Sequence, residues 1–433
     1  MRQWRPLRGV RVLAFEAAFS LPSGTRLLAD MGADVVRVGW PGGTYDNYIA
    51  VIDGIGLNKR TIGIDLRNHE GNEIARRLVA STDVVCNNFR PPVMKAYGFD
   101  EAALRAIKHD LIVLQLSGYG VPGPWQNFPA YGPSTEAAGG MNASMGTVDD
   151  PPMRVGSGVF SDQASGRYAA LALISALEHR QRTGEGRTLD LSMYEAIVHL
   201  LGNSVLYAAR NGTAPPRTGN RDDACVPQGI YPCSGDDNWL ALSICDDNQW
   251  QVLRELIGSE GLCDPVFDSV ESRLAHHDRI NLQVAAWTRD RTKEEASALL
   301  QGRGIAAGPV QKASDLPFDA QLVAREALQP VTRLAPVLGH TAHPHLTLAL
   351  RVVGAPGTAL APERPIGKDN RSVLKAWLGV GAAEVTRLER VGALVPVRTS
   401  EVRVPPNQLA GTTDPGFARK LDLPLPVGDG DGR

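Results

Sequence analysis

The chain has 433 residues, is 43% hydrophobic and 21% charged, and carries a formal net charge of −2 from 45 basic and 47 acidic side chains. That length exceeds one simple core and predicts two domains, with the composition of an ordinary soluble globular protein. So balanced a charge gives no global field to hold nucleic acid or an anionic membrane.

The opening "MRQWRPLRGVRVLAF" has no long apolar run, so neither a signal peptide nor a membrane span is expected. Cysteines stand at 86, 225, 233, 245 and 263, an odd number without a Cys-x-x-Cys pair. Reduced thiols in a cytoplasm are the expectation.

The N-terminal half alternates strand and helix signals. "GVRVLAF" (9–15) is a β-rich run, and "SGTRLLADMG" (23–32) has helical spacing with Gly32 as a stop. Strands are predicted at "DVVRVGW" (34–40), "RTIGIDL" (60–66), "DVVCNNF" (83–89) and "LIVLQLS" (111–117). Between them lie an amphipathic helix over 70–81 and a helix after Asp100. Long helices are predicted near 159–182 and 192–210, with "RTLDLS" between them. Alternation of this kind predicts a doubly wound α/β domain with a mostly parallel sheet.

The texture changes after "NGTAPPRTGNRDD" (211–223). A hairpin turning at Ser234–Asp237 is followed by helices near 247–257, 271–289 and 292–302. The expected organisation is a large domain from 1–223 and 326–380, a small α+β domain at 224–325, and a partly disordered extension at 381–433.

"GYGVPG" (118–123) matches a dinucleotide-binding pattern literally. Pro122 and Pro124 remove N–H donors that a pyrophosphate needs, and no acidic residue follows at ribose spacing, so a Gly/Pro turn without NAD is expected. "GHTAHPH" gathers His340, His343 and His345 but has no nearby Cys, Asp or Glu, so a surface loop without metal is expected. "NNFRPPVMKAYGF" (87–99) ends a strand with Asn88 and Phe89 and adds Arg90 and Lys95. An aromatic, an amide and two cations at a strand's C-terminal edge suit an adenine nucleotide; a capped turn with two surface charges uses the same residues.

Several ordered blocks resemble the class III CoA-transferase family, whose relatives include formyl-CoA and carnitine CoA-transferases and α-methylacyl-CoA racemases. They are "LRGVRVLAF…LLADMGADVVRV", "NKRTIGIDLRNHEGNEIARRLVASTDVVCNNFRPPVMKAYGF", "LSGYGVPGPW", "SGVFSDQASGRYAALALISALEHRQRTGEGRTLDLSMYEAI" and "PERPIGKDNRSVLKAWLG". The resemblance implies a Rossmann-like large domain, a small domain, and two chains interlocked as a dimer. It implies coenzyme A or acyl-CoA as substrate, contacted by Ala17, Ala18, Phe19, Leu66, Asn88 and Phe89, with Lys95 beside the often basic family position at Ala96.

The resemblance also places a catalytic aspartate just after the glycine turn, in a Gly-Tyr-Asp-like triplet. Here that triplet is Ala130-Tyr131-Gly132. Glu136, four residues on and on the same helical face, is the candidate substitute; an acidic residue favourable in a helix's first turn is the plainer reading. Three functions remain open. The first is a CoA-transferase moving CoA from an acyl-CoA to a carboxylic acid, as a homodimer. The second is a degenerate subunit in a heterodimer whose homologous partner carries the aspartate. The third is an acyl-CoA isomerase, racemase or lyase, although no His lies between His109 and His179 to serve a two-base scheme. Phe19, Trp125 and Phe128 suit a hydrophobic acyl chain or ring; three core aromatics are the plainer reading.

Overall fold

A computed structural model describes residues 3–41, 54–156, 159–337 and 340–397, without the side chains of 333–341 and 343. The expected loose tail therefore lies, from 398 onward, outside the described residues. The chain divides into two compact units, one of 1–142, 154–206 and 320–433, the other of 143–153 and 207–319. The second unit thus begins earlier than the expected 224 and takes in a separate short segment.

In the first unit the order is β1 (Arg11–Phe15), α1 (Ser20–Asp30), β2 (Asp34–Gly39), β3 (Arg60–Gly63), α2 (His69–Ala80), β4 (Val84–Asn87), α3 (Pro91–Ala96), α4 (Glu101–Ile107) and β5 (Ile112–Ser117). Then come α5 (Gly132–Ala138), α6 (Phe160–Thr183), β6 (Thr188–Ser192), α7 (Met193–Leu200) and α8 (Gly202–Asn211), the last with its residues from 207 onward in the second unit. The helix expected over 192–210 is therefore two helices. The six strands pair in parallel in the order β3-β2-β1-β4-β5-β6. This is a doubly wound, Rossmann-like sheet whose order reverses between β1 and β4.

Both faces of the sheet are covered, so its strands read as continuous apolar runs. Leu13, Val36, Ile62, Val85 and Val113 face one core with Ile74 and Leu78 of α2. Val12, Val35, Val84, Ile112 and Leu114 face the other with Leu28 of α1 and Leu173 of α6. α1 and α6 cross backbone against backbone: a β-carbon on Gly24 would lie 2.3 Å from the Gly166 carbonyl oxygen. Only glycine permits that approach.

The unit is closed by residues far along the chain. β10 (Leu328–Val337) and β11 (His340–Leu346) form an antiparallel pair. The histidine run is thus a strand, not the expected surface loop. α14 (Asn370–Leu378) and α15 (Ala382–Arg390) follow, and Val385 and Leu388 are buried in the first core. The segment from 381 to 397 therefore belongs to the folded unit rather than to a loose extension. The outer edge of β3 is sealed by this segment. Thr61 N–H donates to Asp369 Oδ2 and Gly63 N–H to Asn370 Oδ1, each at 3.0 Å. Asp369 and Val395 N–H donate back to the carbonyls of Thr61 and Gly63.

The second unit is α+β. β7 (Gln228–Pro232), β8 (Trp239–Ser243) and β9 (Ala306–Pro309) form an antiparallel sheet. Helices at Asp247–Ile257, Val270–Ala275, His277–Arg289 and Lys293–Gln301 pack Trp250, Leu253, Ile280, Val284 and Leu300 against it. Cys225 and Cys245 are joined as a disulfide, while Cys86, Cys233 and Cys263 are free. This corrects the expectation of five reduced thiols. The register pairs Gln228 with Ser243, which brings the residues flanking the hairpin's open end together.

Among the described residues no helix is long and apolar enough to cross a membrane. Among the same residues no group of His, Cys, Asp or Glu is placed to hold a metal.

Candidate active site

The site grows from the C-terminal ends of β1 and β4, where an open α/β sheet offers its crevice. β1 runs into Glu16 and the turn Ala17–Phe19; β4 runs into Asn88 and Phe89. The Asn88 side chain clamps that turn. Its Oδ1 accepts from Ala17 N–H at 2.9 Å, and its Nδ2 donates to Ala17 O at 2.7 Å and Ser20 Oγ at 3.2 Å. Ala18 sits at φ +53°. A residue with a β-carbon holds that conformation at a cost that its surroundings must offset.

Beneath the turn lies a buried ionic cluster absent from the sequence reading. Glu16 and Lys59 are each 1% exposed, with Lys59 Nζ 2.7 Å from Glu16 Oε1. Arg37 reaches both Glu16 and Glu363. Burial pulls the Lys59 ammonium down to about 8, against the opposing pull of Glu16. The opposed charges compensate one another's desolvation and fix the base of the turn.

Beside Phe89 opens a cavity of about 290 Å³. Phe15, Trp40, Leu66, Arg67, Phe89 and Tyr97 are among its lining residues. Trp40 and Phe89 meet edge to face at 5.4 Å between ring centres. The mouth carries the Arg67 guanidinium, which pairs with Asp65 at 2.9 Å. An apolar aromatic wall with one cation at its rim can take a planar, anionic ligand end.

A buried carboxylate comes from a different set of elements. Ser20 opens α1, Gly132 opens α5, and Asp162 lies in the first turn of α6. The main-chain N–H groups of Ser20, Gly132 and Asp162 itself lie close enough to the Asp162 carboxylate to favour its charged form. Asp162 Oδ2 lies 2.0 Å from where a β-carbon on residue 132 would be. The residue is 5% exposed. Burial, and after it the neighbouring charge of Glu136, push its carboxyl up to about 6, against those three N–H donors. A carboxylate held by main-chain donors, with raised basicity, is suited to attack an acyl carbon.

Glu136 is nearer the interior. It is 0% exposed; its Oε1 accepts from Ser161 N–H at 3.1 Å, and its Oε2 has no hydrogen-bond partner among the described residues. Thr135 and Ser161 add a side-chain hydrogen bond of 2.6 Å between the same two helices.

The structure brings some of the sequence-nominated residues together and leaves others apart. Leu66 and Phe89 share the cavity. Ala17, Ala18 and Phe19 form the turn that Asn88 clamps, so Asn88 spends its amide on the protein itself. Arg90 and Lys95 are exposed flanks of α3. Trp40, Arg67, Tyr97 and Asp162 were missed. For Asp162 the signal was the pair of acidic-plus-small residues in "SDQASG", which by itself reads as an ordinary helix start.

Comparison with known proteins gives a consistent set. The family model described as CoA-transferase family III matches residues 7–370. A succinyl-CoA–D-citramalate CoA-transferase of Chloroflexus aurantiacus is 30% identical over 396 residues, covering 89% of this chain and 97% of the relative. A probable CoA-transferase of Mycobacterium tuberculosis is 32% identical over 411 residues, covering 89% of this chain and 50% of the relative. The chain thus spans about half that relative's length. The crystal structure of a CaiB/BaiF family protein from Brucella suis superposes with a TM-score of 0.78 at 26% identity, covering 87% of this chain and 100% of the other.

Proposed function

The chain belongs to CoA-transferase family III, and from that premise we propose that it moves coenzyme A from an acyl-CoA to a free carboxylic acid, with Asp162 as the attacking carboxylate. The observation that carries this reading is the buried Asp162 carboxylate standing at the point where a side chain on residue 132 would begin, with the helix starts of Ser20 and Gly132 beside it. The sequence reading looked for a nucleophile within the segment after the glycine turn. The fold offers one there from the following helix, and Glu136 is left with a supporting place.

An Asp162 oxygen attacks the thioester carbonyl carbon. A C–O bond forms, the C–S bond breaks, and coenzyme A leaves as the thiolate. The thiolate then attacks the aspartyl carbonyl of the mixed anhydride, releasing the donor acid as its carboxylate and leaving coenzyme A as a thioester on Asp162. The acceptor carboxylate runs the same two steps in reverse. The N–H groups of Ser20 and Gly132 are placed to stabilise charge on the aspartyl oxygens during each exchange.

The nucleotide end of coenzyme A enters the cavity of Trp40, Leu66 and Phe89, with Arg67, Arg90 and Lys95 available to its phosphates. Asn88, next in the chain to the cavity residue Phe89, holds the turn Ala17–Phe19, and the Ser20 N–H that follows this turn is beside Asp162. The Chloroflexus relative is named for succinyl-CoA, which makes succinyl-CoA the first donor to test. With its own carboxylate the chain needs no partner to supply one, and a homodimer suffices. Exposed Leu171, Leu200, Val205 and Leu206 give it an apolar face for the second copy. A cytoplasmic location goes with this reading, as the compartment where acyl-CoA thioesters and free acids meet.

The test is chemical trapping. The protein is incubated with succinyl-CoA, quenched with hydroxylamine, and digested for mass spectrometry. A hydroxamate on Asp162 is expected. Turnover accompanied by a label on Glu136, or by none on Asp162, overturns the assignment.

A further inference from the structure

We infer that Glu136 is a positioning residue for this reaction: its buried carboxyl, anchored on the Ser161 N–H at the start of α6, tunes Asp162 as a nucleophile from directly beside it. The inference rests on the assignment of Asp162 as the attacking group.

Three observations meet here. Glu136 is fully buried, and its one hydrogen bond goes to the residue immediately before Asp162. Its other oxygen has no donor. And the charge of Glu136 acts on Asp162 in the direction that raises its basicity, after burial the next largest influence.

The orphaned oxygen is the informative one. If Glu136 served only to tie α5 to α6, a glutamine would do so equally well, because an amide oxygen accepts from Ser161 N–H as a carboxylate does. A buried carboxylate oxygen without a donor costs free energy, as the unpaired NH2 of a glutamine would in the same place, so the tie does not account for that oxygen. The tie itself is also duplicated, by the Thr135–Ser161 side-chain bond and by Gly132 N–H on Asp162. What glutamine cannot supply is a negative charge.

Among the described residues, the groups acting on Asp162 include no cation. From α1 it meets the Ser20 N–H, and the Ser23 hydroxyl lies against its carbonyl; from its own helix it meets its own N–H; from α5 it meets the Gly132 N–H and Glu136. These neighbours are neutral apart from Glu136. An ordinary carboxylate is a weak nucleophile at neutral pH. A like charge held close in a dry site raises its proton affinity and, with it, its reactivity toward carbon.

The experiment compares wild type, Glu136→Gln and Asp162→Asn, reading kcat/KM for succinyl-CoA against pH. Ionisations of coenzyme A are common to the proteins and cancel in the comparison. Glu136→Gln is expected to move the acid limb to lower pH, on the order of half a unit or more, while Asp162→Asn loses turnover at every pH. A purely structural Glu136 would change the height of the profile and leave its limb in place. An unmoved limb in Glu136→Gln, with Asp162→Asn inactive, overturns this inference and leaves Asp162 as nucleophile. Turnover in Asp162→Asn overturns both. Should Glu136→Gln be too slow to profile, the carboxyl of Asp162 is titrated directly by carbon NMR of aspartate-labelled protein, its signal identified by its loss in Asp162→Asn. The same downward shift is expected, and its absence refutes the inference.

Discussion

Asp162 Oδ2 lies 2.0 Å from the point at which a β-carbon on Gly132 would stand, and Asp162 Cγ lies 3.2 Å from it. One residue's missing side chain is the space that the other's carboxylate fills. Gly132→Ala is therefore expected to swing the carboxylate off its N–H donors while the helices stay packed. Displacement of about 1 Å costs roughly 100-fold in rate, so kcat falls by about that factor with little change in melting temperature. Gly132→Asp adds a second charge at the same point and is expected to be no better. Wild-type turnover in Gly132→Ala would contradict the geometry.

The raised Asp162 carboxyl has a consequence for stability. Its value rises from the ordinary 3.8 to about 6. Between those values the folded protein binds the proton more tightly than the unfolded chain, so stability falls as pH rises through this window. Asp162→Asn removes that dependence. Relative to wild type, the variant should gain about 3 kcal/mol, as an order of magnitude, between about pH 4 and about pH 7. Urea denaturation across that range reads it; parallel stability curves for the two proteins would refute it.

Asn88 holds the Ala17–Ser20 turn through three hydrogen bonds, which commit both of its amide N–H groups. Asn88→Ala is expected to destabilise the protein by about 2 kcal/mol and to lower kcat as well as coenzyme A affinity, because the Ser20 N–H drifts from Asp162. If affinity alone fell and kcat stayed, Asn88 would be a direct contact.

Phe89 should behave in the opposite way. It lines the cavity with Trp40 and touches neither the turn nor Asp162 in any hydrogen bond to its side chain. Loss of an aromatic platform for a base costs ~1–3 kcal/mol, so Phe89→Ala should raise KM for acyl-CoA about 10-fold at nearly constant kcat. The thermal shift produced by coenzyme A should shrink with it. An unchanged KM would remove the nucleotide from this cavity.

Much of the fold was legible because local chemistry specified it. The strand runs around Leu13, Val36 and Val85 are apolar on both faces, as a covered parallel sheet requires, and Asp100 caps its helix through Ala103 N–H. Breaks at Leu201 and His276 were not legible, since the flanking residues keep helical spacing across them. The disulfide was hidden because it follows from strand register, not from cysteine spacing. Within the site, Phe89 was found through its place at the end of a strand, and Leu66 only through the family resemblance. Asp162 was not, because its meaning comes from Gly132 and Ser20, which reach it only once three helix starts have met. Glu16 lies in an apolar run and Lys59 stands between Asn58 and Arg60, and nothing local announces that the two will be buried against each other.

The sealed edge of β3 sets an order of events. Thr61 is 308 residues from Asp369, and Gly63 is 307 from Asn370. As the chain emerges from a ribosome, the first sheet can assemble with its outermost strand still carrying unsatisfied donors and acceptors. Such an edge invites pairing with another chain. The nascent protein therefore passes most of its synthesis with one adhesive border, which is closed only when the last helices arrive. Loss of the C-terminal segment would accordingly be felt first as aggregation during production, well before any question of catalysis arises.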